Sequence, residues 1–160
     1  PRPMRPCRVL ASSAMPFPLE LRSDRLHLRR LTADHLPDLL ALDADPEVMR
    51  HISGGVPNTR EDYLSELLPR MLAWDEHPFG FLAAYEAGRF QGWFHLRPSV
   101  ADPHVLELGY RLQRAAWGRG LATEGSRALL HHAFAAGLDA DEEEVLAGAG
   151  DLRRTQGRMP

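Results

Sequence analysis

Apolar and polar residues alternate through Arg25-Leu26-His27-Leu28-Arg29-Arg30-Leu31, the period of a half-buried strand. Leu36, Leu39, Leu40 and Leu42 then recur at helical spacing to about Ala44, behind a Thr32 or Asp34 that can cap the first turn. Asp45-Pro46 ends that helix, because the residue before a proline avoids the α region. Residues 46–58, which contain Ser53-Gly54-Gly55 and Pro57, read as a loop. Thr59-Arg60-Glu61-Asp62 has the form of a capping box and opens a second helix through Tyr63, Leu64, Leu67, Leu68, Met71 and Leu72. Pro69 lies in its middle, so a kink or break is expected there.

Residues 79–86 and 90–97 are apolar and rich in aromatics, and Ala87-Gly88-Arg89 separates them; they predict an antiparallel hairpin. A turn over 98–103 leads to a fourth strand at 105–112. Residues 120–136 predict a helix that buries Leu121, Leu129, Leu130, Ala133 and Phe134 and ends at Gly137 as its C′ glycine. Residues 139–144 form an acidic, solvated stretch, and Val145-Leu146-Ala147 can make a short fifth strand. The order β, α, α, β, β, β, α, β describes an α/β fold. A hairpin followed by a strand–helix–strand crossover gives a mixed central sheet, antiparallel first and parallel later, flanked by helices.

Composition narrows the function more than it changes the fold. At 160 residues the chain is long enough for one domain with its own core. A formal net charge of −3 gives no electrostatic reason to expect nucleic acid as a partner. All 19 basic residues are arginine, which suits bidentate phosphate contacts. The one cysteine, Cys7, excludes an internal disulfide framework and fits a reducing, cytoplasmic setting. No apolar run approaches the roughly 18–20 residues that a membrane span needs. The apolar centre near Val9-Leu10-Ala11 is too short for a signal peptide, which needs roughly 7–15 residues. Met15 looks like a natural start, so residues 1–14 are expected to be an upstream, disordered tail and 15–160 a single domain.

The densest chemical signal runs from Leu106-Glu107-Leu108-Gly109-Tyr110-Arg111-Leu112 into Trp117-Gly118-Arg119-Gly120-Leu121-Ala122-Thr123-Glu124. An alternating strand passes through a short loop into a glycine-spaced helix start. Backbone N–H groups and the positive end of a helix dipole then converge on one point, where diphosphates bind. The missing Gly-x-Gly-x-x-Gly after a first strand counts against a dinucleotide-binding module. His131-His132, His95 and His104 lack metal-ligand spacing, so no metal is expected.

These motifs, with the opening Leu21-Arg22-Ser23-Asp24-Arg25-Leu26-His27-Leu28-Arg29 and Asp45-Pro46-Glu47-Val48, resemble the GNAT superfamily of N-acetyltransferases. More narrowly, they are similar to the branch that includes the ribosomal-protein N-terminal acetyltransferases. The resemblance implies acetyl-CoA as cosubstrate, its pyrophosphate on Trp117, Gly118, Arg119, Gly120, Leu121, Ala122 and Thr123. Trp117 replaces the family's usual Gln or Arg at a position that mainly offers backbone N–H, and Arg119 can add charge-assisted hydrogen bonds. The pantetheine arm would lie along Leu108, Tyr110, Arg111 and Leu112 as a pseudo-strand. An oxyanion donor is expected near residues 108–110. Glu107 is the candidate general base, acting through water; equally, it binds substrate or pairs with an arginine. Glu124 reads as a structural support for the helix N-terminus.

The acceptor is a primary amine, either a protein N-terminus or a small molecule. Ser53, Asn58, His51 and Tyr63 are candidate contacts that read first as ordinary loop or helix residues. Relative to the family, the last two strands are missing, and residues 150–160 only echo the Asn-x-x-Ser segment that the family shows. The open sheet edge then calls for a homodimer, or the chain is an acyl-CoA-binding remnant with impaired catalysis.

Overall fold

A computed structural model describes residues 8–9, 20–74, 80–98, 106–135 and 138–139. Its strands are β1 (Arg8–Val9), β2 (Glu20–Arg22), β3 (Leu26–Arg30), β4 (Gly80–Glu86), β5 (Arg89–Pro98), β6 (Leu106–Leu112) and β7 (Leu138–Asp139). The helices are α1 (Leu36–Asp43), α2 (Pro46–Ser53), α3 (residues 60–72) and α4 (Leu121–Ala135). β2 to β6 form one sheet in chain order with every pairing antiparallel, and β1 pairs with β7 in a separate two-stranded ladder. The parallel strand expected at residues 145–147, and Gly137, lie outside the described residues.

Strand alternation sorts the side chains into two layers. Leu28, Leu82, Ala84, Phe94, Leu96 and Leu112 point to one face and pack against Leu121, Leu129, Leu130 and Ala133 of α4. Ala83 and Trp93 point to the other face, with Phe81 and Tyr85 beside them, and meet Leu36, Leu39, Leu42, Val48, Tyr63, Leu68 and Met71 of α1, α2 and α3. α4 comes unusually close to the sheet because Gly125 has no side chain: a Cβ there would lie 2.2 Å from Phe94 Cζ.

Four local expectations need correction. Residues 46–58 hold a helix, α2, rather than a continuous loop. Asp45-Pro46 does stop α1, but the same pair starts α2: the Asp45 carboxylate accepts from Glu47 N–H at 3.0 Å, and Pro46 lacks only an N–H that the first turn would leave unpaired. The second helix does open on its capping box, with Asp62 N–H donating to Thr59 Oγ1 at 3.1 Å and Thr59 N–H to Asp62 Oδ2 at 2.7 Å. Of the kink or break expected at Pro69, the structure shows an interruption of the α geometry: the turn Tyr63–Leu67 widens into π geometry just before the proline, and the helix runs on to Leu72. That wider turn spaces buried Tyr63 and Leu68 five residues apart and rotates Leu64 outward, so Leu64 is exposed rather than core. The hairpin turn has two residues, Ala87 and Gly88, both at positive φ, instead of three. Finally, Glu20–Arg22 forms an edge strand too short for its period to show.

Candidate functional site: the glycine turn and the face of strand β6

β6 leads through a short 3-10 turn, Arg114–Ala116, to Gly118 at φ 71° and Gly120 at φ 79°. Both glycines sit in the left-handed region that side chains disfavour. Gly120 O accepts from Glu124 N–H at 3.0 Å, so Gly120 caps α4, and the first-turn N–H groups of Leu121 and Ala122 point along the axis out of the helix end. A Cβ added at Gly118 would meet nothing within 4 Å, which leaves open space beside these donors.

Ionic pairs hold the turn in place. Glu124 accepts from Ser23 Oγ, Arg25 N–H and Arg25 Nε, each at 2.7 Å, while Arg25 Nη1 donates to Arg119 O at 2.8 Å. Burial pushes the Glu124 carboxyl up, and donation from Ser23 and Arg25 outweighs it, holding the group below its ordinary value. Glu124 is thus the structural support that its position suggests.

Two expected roles here change. Arg119 turns its guanidinium fork onto Glu86, with Nη1 and Nη2 at 2.8 and 2.7 Å from the two carboxylate oxygens, so its side chain ties the turn to β4 rather than standing free for an anion. Trp117 does not offer its backbone N–H, because that group donates to Arg114 O at 3.1 Å. Its indole Nε1 instead donates to Leu112 O at 2.8 Å and pins the loop to the strand end. The arginines here are balanced by Glu86 and Glu124, so attraction for an anion rests on the peptide dipoles.

The pairing of β6 settles which way its peptide groups face. Gln113 N–H donates to Gln91 O at 2.8 Å, and Arg111, Gly109 and Glu107 continue that register opposite Trp93, His95 and Arg97. Alternation in an antiparallel pair then turns the N–H and C=O groups of Leu108, Tyr110 and Leu112 away from β5. Their side chains pack on the α4 face, Tyr110 against Phe94 at 5.7 Å between ring centroids.

Glu107, Gly109 and Arg111 face the α1–α3 layer. Glu107 Oε1 lies 3.3 Å from Arg97 Nη2 and 3.7 Å from His95 Nε2. The Arg97 contact is the arginine pairing considered for Glu107 from the sequence. Arg111, expected among the cofactor residues, sends its side chain instead to Asp43, with Nη1 donating to Oδ1 at 2.7 Å, and its guanidinium carbon lies 5.2 Å from the Trp93 ring centroid. Fully buried Asp43 also accepts from Tyr63 OH at 2.6 Å and Asn58 Nδ2 at 2.7 Å. Burial, then the Asp43 hydrogen bond, push the Tyr63 hydroxyl far above its ordinary range. Tyr63 and Asn58 are therefore committed to Asp43, and Ser53 Oγ donates to Val56 O.

Sequence reasoning missed Asp43 and the brace formed by Arg25 and Glu86. One signal existed: Asp43 is the lone acid on the stripe Leu36, Leu39, Leu42 that α1 buries.

Residues 25–150 match the acetyltransferase (GNAT) domain family. The chain belongs to the GNAT acetyltransferases. It is 32% identical over 122 residues to FsC-acetyl coenzyme A-N(2)-transacetylase of Aspergillus fumigatus, covering 71% of this chain and 52% of that protein. The chain thus spans about half the length of this curated relative. A probable GNAT acetyltransferase from Chromobacterium violaceum shares the fold at TM-score 0.67 and 22% identity, over 97% of this chain and 82% of that one. RimL, a ribosomal L7/L12 alpha-N-protein acetyltransferase solved with coenzyme A, does so at TM-score 0.60 and 17% identity, over 74% and 69%.

GNAT proteins use acetyl-CoA, and the open Gly118 turn at the N-terminus of α4 fits a diphosphate-bearing ligand of that kind. Among the described residues no group of three or more His, Cys, Asp or Glu is placed to hold a metal, and no helix is long and apolar enough to cross a membrane.

Proposed function

We propose that this GNAT protein is an N-acetyltransferase that moves the acetyl group of acetyl-CoA to a primary amine by direct attack, the amine being a protein N-terminus or a small molecule. The turn at Gly118–Gly120 carries the reading: it opens beside the N-terminus of α4, at the end of a strand that turns the peptide groups of Leu108, Tyr110 and Leu112 away from β5. The N–H groups from Gly118 to Thr123 take the pyrophosphate. The outward peptide groups of Leu108, Tyr110 and Leu112 take the pantetheine amides, and Trp117 steadies Leu112 through its indole.

Acetyl-CoA supplies an acetyl group activated as a thioester, and the chain's residues do the rest. An N–H on the outer side of β6 near Leu108 stabilises the charge that develops on the carbonyl oxygen. Glu107, on the opposite face, takes the ammonium proton of the acceptor through water, so that the neutral nitrogen attacks the carbonyl carbon. The C–S bond then breaks, CoA leaves as its thiolate, and the proton shed by the new amide nitrogen passes to that thiolate through water. Arg97 lies beside Glu107, with Nη2 3.3 Å from Oε1.

Thiol release from acetyl-CoA in the presence of peptides and small primary amines tests the proposal. Turnover with at least one amine, reduced at neutral pH in Glu107→Gln without loss of CoA affinity, is the expected result. CoA binding with no turnover on any amine would leave only an acyl-CoA-binding remnant. Unchanged rates in Glu107→Gln would remove Glu107 as the proton acceptor.

A further inference from the structure

The face that carries Glu107 also buries a histidine that the proposed reaction leaves unused. His95 is 6% exposed, yet neither Nδ1 nor Nε2 has a hydrogen-bond partner. Its ring is clamped. Trp93 stacks on it at 5.6 Å and 18°, Phe81 lies at 4.8 Å, and Gly109 beneath it leaves so little room that an added Cβ would lie 2.5 Å from His95 Cε1.

Burial, and then the charge of Arg97, drive the His95 pKa down to about 4, so at neutral pH the ring is uncharged and carries one N–H donor. The contact to Glu107 at 3.7 Å is therefore not an ion pair at that pH, and it is too long for a hydrogen bond. The two partners differ in freedom, because the ring is packed on both faces while the Glu107 side chain is 45% exposed. A swing of the carboxylate by about 1 Å brings the pair to hydrogen-bond distance. Each group then gains what it lacks, a partner for the ring nitrogen and a fixed direction for the carboxylate.

We infer that His95 is a positioning residue for acetyl transfer: its Nε2–H donates to Glu107 and aims the carboxylate at the incoming amine. The inference rests on the reading of Glu107 as proton acceptor. The charged and titratable groups around the ring are Arg97 on β5, Glu107 and Arg111 on β6, and Asp43 on α1, which is bound to Arg111. Arg97 competes for the same Glu107 oxygen, so His95 decides which way that carboxylate is held.

The test compares kcat and KM of the wild type, His95→Leu, His95→Gln, Glu107→Gln and the double variant His95→Leu/Glu107→Gln. His95→Leu is expected to lower kcat at least tenfold and leave the KM for acetyl-CoA unchanged, because Glu107 has lost the donor that aims it. His95→Gln, whose amide can still donate, is expected to recover much of the rate, and His95→Leu is expected to add nothing once Glu107 is Gln. A His95→Leu enzyme with wild-type kcat, alongside an impaired Glu107→Gln, overturns the inference and leaves the proton-acceptor reading standing. Full turnover by Glu107→Gln overturns that reading and the catalytic role of His95 with it. Should His95→Leu fail to fold, ring-nitrogen NMR of the wild type and Glu107→Gln decides: Nε2–H resonances that shift with Glu107 are expected, and an Nδ1–H ring indifferent to Glu107 contradicts the inference.

Discussion

The α4 face of the sheet closes with leucines, a phenylalanine and a glycine, whereas the α1–α3 face buries a carboxylate, a phenol and a histidine beside a half-buried arginine. The first face is held by shape: Gly125 lets α4 settle onto Phe94, and burial of apolar surface does the rest. The second is held by partners, since a charge taken out of water must be matched. Asp43 is matched three times over, by Arg111, Tyr63 and Asn58, while the His95 ring is not matched at all. A buried carboxylate with three partners binds elements together. An unsatisfied ring beside an exposed carboxylate is suited to chemistry.

The sharpest way to break this contrast is to remove the centre of the matched network. Asp43→Ala leaves half-buried Arg111 without its counter-charge and buried Tyr63 without its acceptor, and is expected to cost about 3–5 kcal/mol in urea unfolding. A loss below about 1 kcal/mol would show that the network is decorative. Next comes His95. Its folded pKa of about 4 lies below the ordinary histidine value of 6.5, so as pH falls between them the unfolded chain takes up a proton that the native ring refuses. Stability therefore drops as pH falls from 6.5 towards 4, by roughly 3 kcal/mol from this group. His95→Phe is expected to flatten that share of the pH dependence, and an unaltered slope would mean that the ring is not desolvated.

On the apolar face, Gly125→Ala pushes a methyl into Phe94 and is expected to cost about 1–3 kcal/mol with no effect on pH dependence. An unchanged unfolding midpoint would show that the face is looser than its contacts imply. The smallest effect belongs to the brace of the turn. Ser23→Ala removes one of three donors to Glu124 and is expected to cost about 1 kcal/mol, read from thermal unfolding.

The same contrast explains what the sequence could disclose. Periodicity is a local signal, so β3, the hairpin, β6 and α4 were legible from leucines and aromatics at spacings of two and of three to four. The turn was legible because glycines at 118 and 120 mark a backbone that other residues resist. Asp43 and Arg111 were not legible in their roles, because each is defined by a partner far along the chain: Arg111 lies 68 positions from Asp43. Arg119 and Arg111 misled for the same reason. An arginine near an anion site looks like a ligand until Glu86 or Asp43 is seen to occupy it. α2 was hidden by an ambiguity of chemistry, since Asp-Pro stops one helix and can cap the next.

The central claim, that the amides around Gly118 to Thr123 hold the acyl carrier's pyrophosphate, is tested most directly by calorimetric titration of CoA into the wild type and Gly118→Asn. Asparagine tolerates the left-handed backbone and meets no neighbour in the free protein, so its side chain fills the turn at little cost to the fold. Saturable binding to the wild type, weakened at least tenfold in Gly118→Asn with a nearly unchanged unfolding midpoint, is the predicted result. Equal affinity in the two proteins, or no binding of CoA to either, would contradict it.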